Sequence, residues 1–260
     1  MILRTILAAL AVLVHGPALA AVSRAVLDQV YVDPKPGATL PLQLTFRDER
    51  GNARSLAQAL DDHATVLIFA DYTCRTLCGP ILDFTAAALE KSALRAGTDY
   101  RLVVIGLDPK DSLDSARAMK ASRLDNGGPI THAATFLTGT GAEIGAATSA
   151  LGYHYAYDAT NDQFAHPAAA FVLTRNGKVT RVLSGLGLSG TDLRLALVDA
   201  GQGEVGTLAD RFHLLCYGFD PARGIYTARI GLVLQICGAI TIAIMAGGIL
   251  VMHRLTRAMS

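Results

Sequence analysis

Charge is what this chain has little of. Only 17% of its 260 residues are Asp, Glu, Lys or Arg, and 23 basic residues against 22 acidic ones leave a net charge of +1. Soluble domains carry about 25% charged residues. A nucleic-acid binder shows a strong basic excess, so the near-neutral balance argues against that class. A disordered chain is ruled out by the opposite property, a hydrophobic content of 51%. Cysteine is scarce as well. Four in the whole chain are too few for a disulfide scaffold. Internal repeats, low-complexity tracts, a Walker loop and a dinucleotide fingerprint are all missing.

The apolar excess sits at the two ends. Residues 1–20 read MILRTILAALAVLVHGPALA. Arg4 gives a short positive start, Ile6 to Val14 is an apolar run, and Ala18-Leu19-Ala20 is a small-residue cleavage signal. That is the three-part pattern of a secretory signal peptide, with an uncleaved N-terminal anchor as the alternative. Residues 230–252, IGLVLQICGAITIAIMAGGILVM, contain no charged residue. A helix of that length is about 35 Å long, enough to cross a bilayer core. Arg223 and Arg229 before it and Arg254 and Arg257 after it do not orient it. The export signal does, by placing the body outside. The expected organisation is signal peptide 1–20, leader 21–39, a globular domain 40–204, a juxtamembrane segment 205–229, a transmembrane helix 230–252 and a cytoplasmic tail 253–260. The body then lies in the bacterial periplasm, anchored to the inner membrane. That compartment oxidises thiols, and cysteines there are catalytic, paired or metal-bound.

Periodicity within the body alternates strands and helices. A strand is predicted over 40–46, followed by a turn. TVLIFA at 65–70 and RLVVIGL at 101–107 are short apolar runs suited to buried strands. Helices are predicted over 81–94, 112–124, 141–151 and 191–200. A short strand is expected at 134–137. Strands 168–174 and 178–184 flank Arg175-Asn176-Gly177, a hairpin turn. This order predicts an α/β fold with a mixed central sheet in a thioredoxin-like layout.

Cys74 and Cys78 fall between a buried strand and a helix. A helix N-terminus stabilises a thiolate, and Arg75 adds positive charge. Residues four apart share one helical face. Two thiolates on one face suit a soft metal such as Cu(I) and also permit a disulfide. Of the seven histidines, His15 and His253 belong to the end segments. His63, His132, His154 and His213 have no distinctive setting. His166 ends the polar loop 158–163, just before Pro167 and a buried strand. In a thioredoxin-like layout that loop faces the cysteines. A two-sulfur, one-nitrogen set accepts copper in either oxidation state. By setting alone, His166 is equally well read as a packed histidine.

With these pieces in order, the chain resembles the Sco/SenC family, thioredoxin-fold copper proteins of cytochrome c oxidase assembly. The resemblance rests on Cys74-x-x-x-Cys78 after TVLIFADYT, VVIGLDPKDS at 103–112, FLTGTGAEIGAATSALGYHYAYD at 136–158 and DQFAHPAAAFVLTRNGKVTRVLSG at 162–185. It implies Cys74, Cys78 and His166 as copper ligands, for Cu(I) or Cu(II). Asp108 is implied as a neighbouring acidic residue, with Asp111 the lesser choice. The implied role is a metallochaperone supplying the CuA site of oxidase subunit II or another copper acceptor, itself loaded by periplasmic copper carriers. The alternative is a thiol–disulfide oxidoreductase, with Cys74 and Cys78 as the redox pair that reduces the acceptor's cysteines. A peroxidase of the peroxiredoxin type fits the paired spacing less well.

The chain departs from the family pattern in two places. Proline usually follows each cysteine; here Arg75 and Gly79 do, and Pro80 comes one place later. The usual anchor is N-terminal, whereas this chain resembles a branch anchored at its C-terminus. In that branch LLCYGFDPARGIY at 214–226 precedes the membrane, with Cys216 a candidate extra thiol. Cys237 is read as apolar filler of the anchor.

Overall fold

The run Thr65–Ala70 has every residue buried, and this decides the architecture. A strand apolar on both faces needs cover on both faces. The computed structural model of the chain supplies it with helices above and below one sheet. The structure describes residues 22–74, 78–124, 127–184 and 188–201, two short strands within 217–228, and five positions between 240 and 248. The backbone alone is described at 78–79 and in the strands at 217–228.

In chain order the elements are α1 (Arg24–Leu27), β1 (Tyr31–Val32), β2 (Thr45–Asp48), β3 (Ala53–Ser55), α2 (Leu56–Leu60), β4 (Thr65–Ala70), α3 (Cys78–Lys91), β5 (Arg101–Gly106), α4 (Leu113–Arg123), α5 (Pro129–Ala133) and β6 (Ala134–Thr138). They continue with α6 (Gly141–Ala150), β7 (Tyr153–His154), β8 (Ala156–Asp158), β9 (Gln163–Ala165), β10 (Ala169–Leu173), β11 (Val179–Ser184), α7 (Gly190–Ala200), β12 (Tyr217–Asp220) and β13 (Ile225–Ala228).

The central sheet has seven strands in the order β11-β10-β4-β5-β6-β2-β3. β4, β5 and β6 are parallel neighbours. β10 is antiparallel to β4, and β2 to β6. This is the mixed α/β, thioredoxin-like sheet expected from the element order. Alternate side chains divide the core in two. Val66, Ile68, Leu102, Val104, Phe136 and Val172 pack with Ile81, Leu82 and Leu89 of α3 and Leu193 and Leu197 of α7. Leu67, Phe69, Val103, Ile105, Leu137 and Phe171 pack with Leu56 and Leu60 of α2 and Ile144 and Ala147 of α6. Each of the Val, Leu, Ile and Phe side chains contributes about 1.5–3 kcal/mol by leaving water.

The first predicted strand is displaced. Leu40 and Phe46 are both buried, but Leu44 N–H donates to the Pro41 carbonyl and the chain turns there. Proline lacks the N–H a ladder needs, so the strand begins at Thr45. The Asn-Gly hairpin forms as expected. Gly177 has φ +75, and a Cβ on it would meet Leu42 Cδ2 at 2.9 Å, which leaves glycine as the residue that fits.

Among the described residues, no helix is long and apolar enough to cross a membrane. The segments read as export signal (1–20) and cytoplasmic tail, nearly all of 230–252, and also Arg75, Cys216 and Cys237, lie outside the described residues.

Candidate metal centre

β4 ends at Ala70 and delivers a buried carboxylate, Asp71, which is 0% exposed. Its Oδ1 accepts from both the backbone N–H and the hydroxyl of Thr73, each at 2.9 Å. Its carbonyl accepts from Cys74 N–H at 3.3 Å. Cys74 therefore belongs to a turn wound on Asp71, and α3 starts at Cys78. Residues 75–77 between the two cysteines, and with them the helical face expected for the pair, lie outside the described residues. Cys78 still stands at the N-terminus of a helix of 14 residues, whose positive end favours a thiolate.

The opposing half comes from much later in the chain. The predicted polar loop 158–163 is the turn of a β8–β9 hairpin. Asp158 Oδ1 accepts from Thr160 N–H at 3.0 Å and Oδ2 from Asn161 Nδ2 at 2.6 Å. Tyr157 and Phe164 pair across the hairpin, with ring centroids 5.3 Å apart. Phe164 N–H donates to Asp71 Oδ2 at 3.0 Å. One buried carboxylate thus joins the cysteine turn to the strand leading to His166. Gln163, also on β9, places Oε1 3.7 Å from Cys74 Sγ.

His166 is held by its Nδ1. Tyr153 Oη lies 3.0 Å from it and the Pro167 carbonyl 3.2 Å. Tyr153 donates its own proton to Pro167 O at 2.9 Å, so it accepts from Nδ1–H. This network assigns the tautomer and leaves the lone pair on Nε2. Tyr153 is fixed in turn by Phe69 at 4.7 Å and Phe171 at 5.9 Å between centroids. Burial holds the His166 ring below its usual pKa, and Cys74 and Asp71 lie near enough to oppose that shift electrostatically. A neutral imidazole is the form that binds a metal.

The acidic loop after β5 stands behind the turn. Asp108 Oδ1 accepts from Lys110 N–H at 2.8 Å. Asp111 Oδ2 accepts from Tyr72 N–H at 3.4 Å. Burial pushes Asp111 up to about 7, with the charges of Asp71 and Asp108 adding to the effect.

Of the residues singled out in the sequence, Cys74 lies against Gln163 of the strand leading to His166 and near enough to influence that ring electrostatically, while of Cys78 only the backbone is described. Asp108 serves its own turn, and Asp111 supports the cysteine turn through Tyr72. Asp71, Gln163 and Tyr153 escaped the sequence reading. Asp71 did leave a signal, as a carboxylate directly after an unbroken apolar strand. Among the described residues, no group of three or more His, Cys, Asp or Glu could by itself hold a metal ion; the Cys78 side chain is not among them. The donor chemistry fits a soft metal, with sulfur at Cys74 and a neutral imidazole nitrogen at His166.

Fold and site together define a thioredoxin-like domain with a cysteine turn facing a histidine loop. The chain belongs to the SCO1/SenC family, whose model matches residues 34–191. Solved structures of similar fold include a putative electron transfer protein from Aquifex aeolicus, with 19% identity, a TM-score of 0.58, and 65% of this chain and 96% of that one covered. ScoI of Arabidopsis thaliana, solved with copper bound, has 18% identity and a TM-score of 0.51 over 64% of this chain and 98% of that one. A SCO1/SenC family lipoprotein from Bacillus anthracis has 17% identity and a TM-score of 0.53 over 65% and 98%. No curated protein matches the sequence.

Proposed function

We propose that the chain is a copper-delivery protein of cytochrome c oxidase assembly. It holds one copper ion as cargo through Cys74, Cys78 and His166 and passes it to the CuA site of oxidase subunit II or to another copper acceptor. The observation that carries this reading is the approach of Cys74 to the β9 segment leading to His166, a histidine whose lone pair is on Nε2. Two thiolates and a neutral imidazole accept copper in both oxidation states. Three donors leave a position open, so an acceptor's ligand enters before the last donor of this chain leaves. Cys74 is half-buried, a setting that shields the metal and keeps it within reach. Membership of the SCO1/SenC family and a similar Arabidopsis protein solved with copper support the reading.

The charge-free segment 230–252 and the N-terminal export pattern support a periplasmic body anchored in the inner membrane. The description of the Bacillus anthracis relative as a lipoprotein is in keeping with a membrane-bound site of action.

Copper stoichiometry and X-ray absorption on the reduced full chain test the assignment. The expected result is one copper per chain with sulfur and nitrogen scatterers, lost in Cys74→Ser and Cys78→Ser and weakened in His166→Ala. A reduced wild type without copper, or a His166→Ala variant of unchanged affinity, overturns it.

The position of Cys78 at a helix N-terminus favours a second reading, a thiol–disulfide oxidoreductase acting on the acceptor's cysteines. In that case the Cys74–Cys78 pair exchanges with an acceptor disulfide. Normal acceptor reduction by Cys74→Ser excludes it.

A further inference from the structure

Gln163 opens β9, three residues ahead of His166. Cys74 directs its S–H toward the Gln163 amide oxygen, with 3.7 Å between Sγ and Oε1. The thiol is a weak donor and the amide oxygen a competent acceptor. The strand that carries the amide is held from two directions. The next residue, Phe164, is tied through its N–H to Asp71 Oδ2. Gln163 pairs across the hairpin with Asp158, whose carboxylate is engaged by its own turn. The rings of Tyr155 and Tyr157 flank Phe164 at 5.6 and 5.3 Å between centroids, which stiffens the strand under the amide.

We propose that Gln163 supplies an oxygen donor to the metal at Cys74 and so sets the balance between Cu(II) and Cu(I). The proposal rests on the copper reading above. A copper ion that displaces the thiol proton meets the acceptor that held that proton. Thiolates and imidazole serve both oxidation states, but an amide oxygen is a hard, neutral donor that suits Cu(II) better than Cu(I). Cu(II) also takes additional donors in tetragonal or axially completed sites, and glutamine is one of the side chains that fills a weak axial place beside a copper thiolate. Gln163 thus selects between oxidation states, while Cys74, Cys78 and His166 provide the bulk of the affinity. An amide turned the other way, with N–H toward sulfur, would stabilise the thiolate equally for both ions, which makes the difference between the two ions the deciding quantity.

The experiment uses the full chain, wild type and Gln163→Leu, titrated separately with Cu(I) and Cu(II) against competing chelators, with electron paramagnetic resonance of the Cu(II) form. Gln163→Glu is the conservative variant. The expected result is a loss of about tenfold or more in Cu(II) affinity for Gln163→Leu, a changed copper hyperfine splitting and an unchanged Cu(I) affinity. Gln163→Glu restores Cu(II) binding. Equal losses for both ions mark a structural effect and overturn the proposal, as does a Gln163→Leu variant indistinguishable from wild type. A wild type that binds neither ion overturns the copper reading itself, and this inference with it.

Discussion

Asp71 Oδ2 and Phe164 N–H meet at 3.0 Å across 93 residues of sequence, and this bond joins the two halves of the candidate site. The same carboxylate orders the turn on which Cys74 sits. Its replacement therefore acts on both halves together. Asp71→Ala leaves the partly buried N–H groups of Thr73 and Phe164 without this acceptor and is expected to cost about 1–3 kcal/mol, read by urea denaturation of the metal-free chain. It also lowers copper affinity, whereas Asp71→Asn, which keeps an acceptor oxygen, retains more of both. Equal stability of Asp71→Ala and wild type would contradict the role given to this bond.

Tyr153 separates packing from positioning. Tyr153→Phe keeps the ring against Phe69 and Phe171 but removes the oxygen that fixes His166 Nδ1. Copper affinity is expected to fall by about 10–100-fold with little change in the denaturation midpoint. Chelator competition and urea unfolding on the same preparation check the pair of outcomes. A drop in stability with no drop in affinity would assign the hydroxyl to the fold alone.

Asp111 makes a pH signature. Its folded pKa of about 7 lies above the ordinary 3.8, so the folded chain holds this proton more tightly than the unfolded chain does. The contribution to stability is fully present below about pH 4 and is lost as pH rises through about 7. Asp111→Asn keeps an oxygen for Tyr72 N–H and removes the titration. It is expected to gain about 2 kcal/mol over wild type at pH 8, after discounting for partial solvent access. Near pH 4 the two should converge. Parallel stability curves between pH 4 and 8 would refute the assignment.

Removal of residues 230–260 tests the anchor. The truncated chain is expected in the soluble periplasmic fraction and the full chain in the membrane fraction. Detection of both in the same fraction would reassign the apolar segment.

Much of the framework was legible because it is local. TVLIFA declares a doubly buried strand by having no polar face, and Asn176-Gly177 declares its hairpin through the backbone it needs. The helices over 113–123, 141–150 and 190–200 were visible in the sequence, the first through its Ser/Asp caps and the second through its run of small residues. Elements of two or three residues were not, because β8 and β9 are shorter than any period they could display. His166 was found by topology, since the connection into β10 had to pass the end of β4. Asp71 could be suspected from its position, but its partner Phe164 is far away in sequence, and such a bond exists only once the sheet has closed. The turn at Cys74 was hidden for a related reason. The Asp71 carbonyl accepts the Cys74 N–H, a bond that residue spacing does not announce.

The sheet order has a consequence for when the site exists. β10 inserts beside β4 although about a hundred residues of chain separate them, and His166 arrives only with β10. A half-synthesised chain therefore presents Cys74 before His166 can come near it. Under the copper-delivery proposal, loading then waits for the finished sheet, which acts as its own checkpoint.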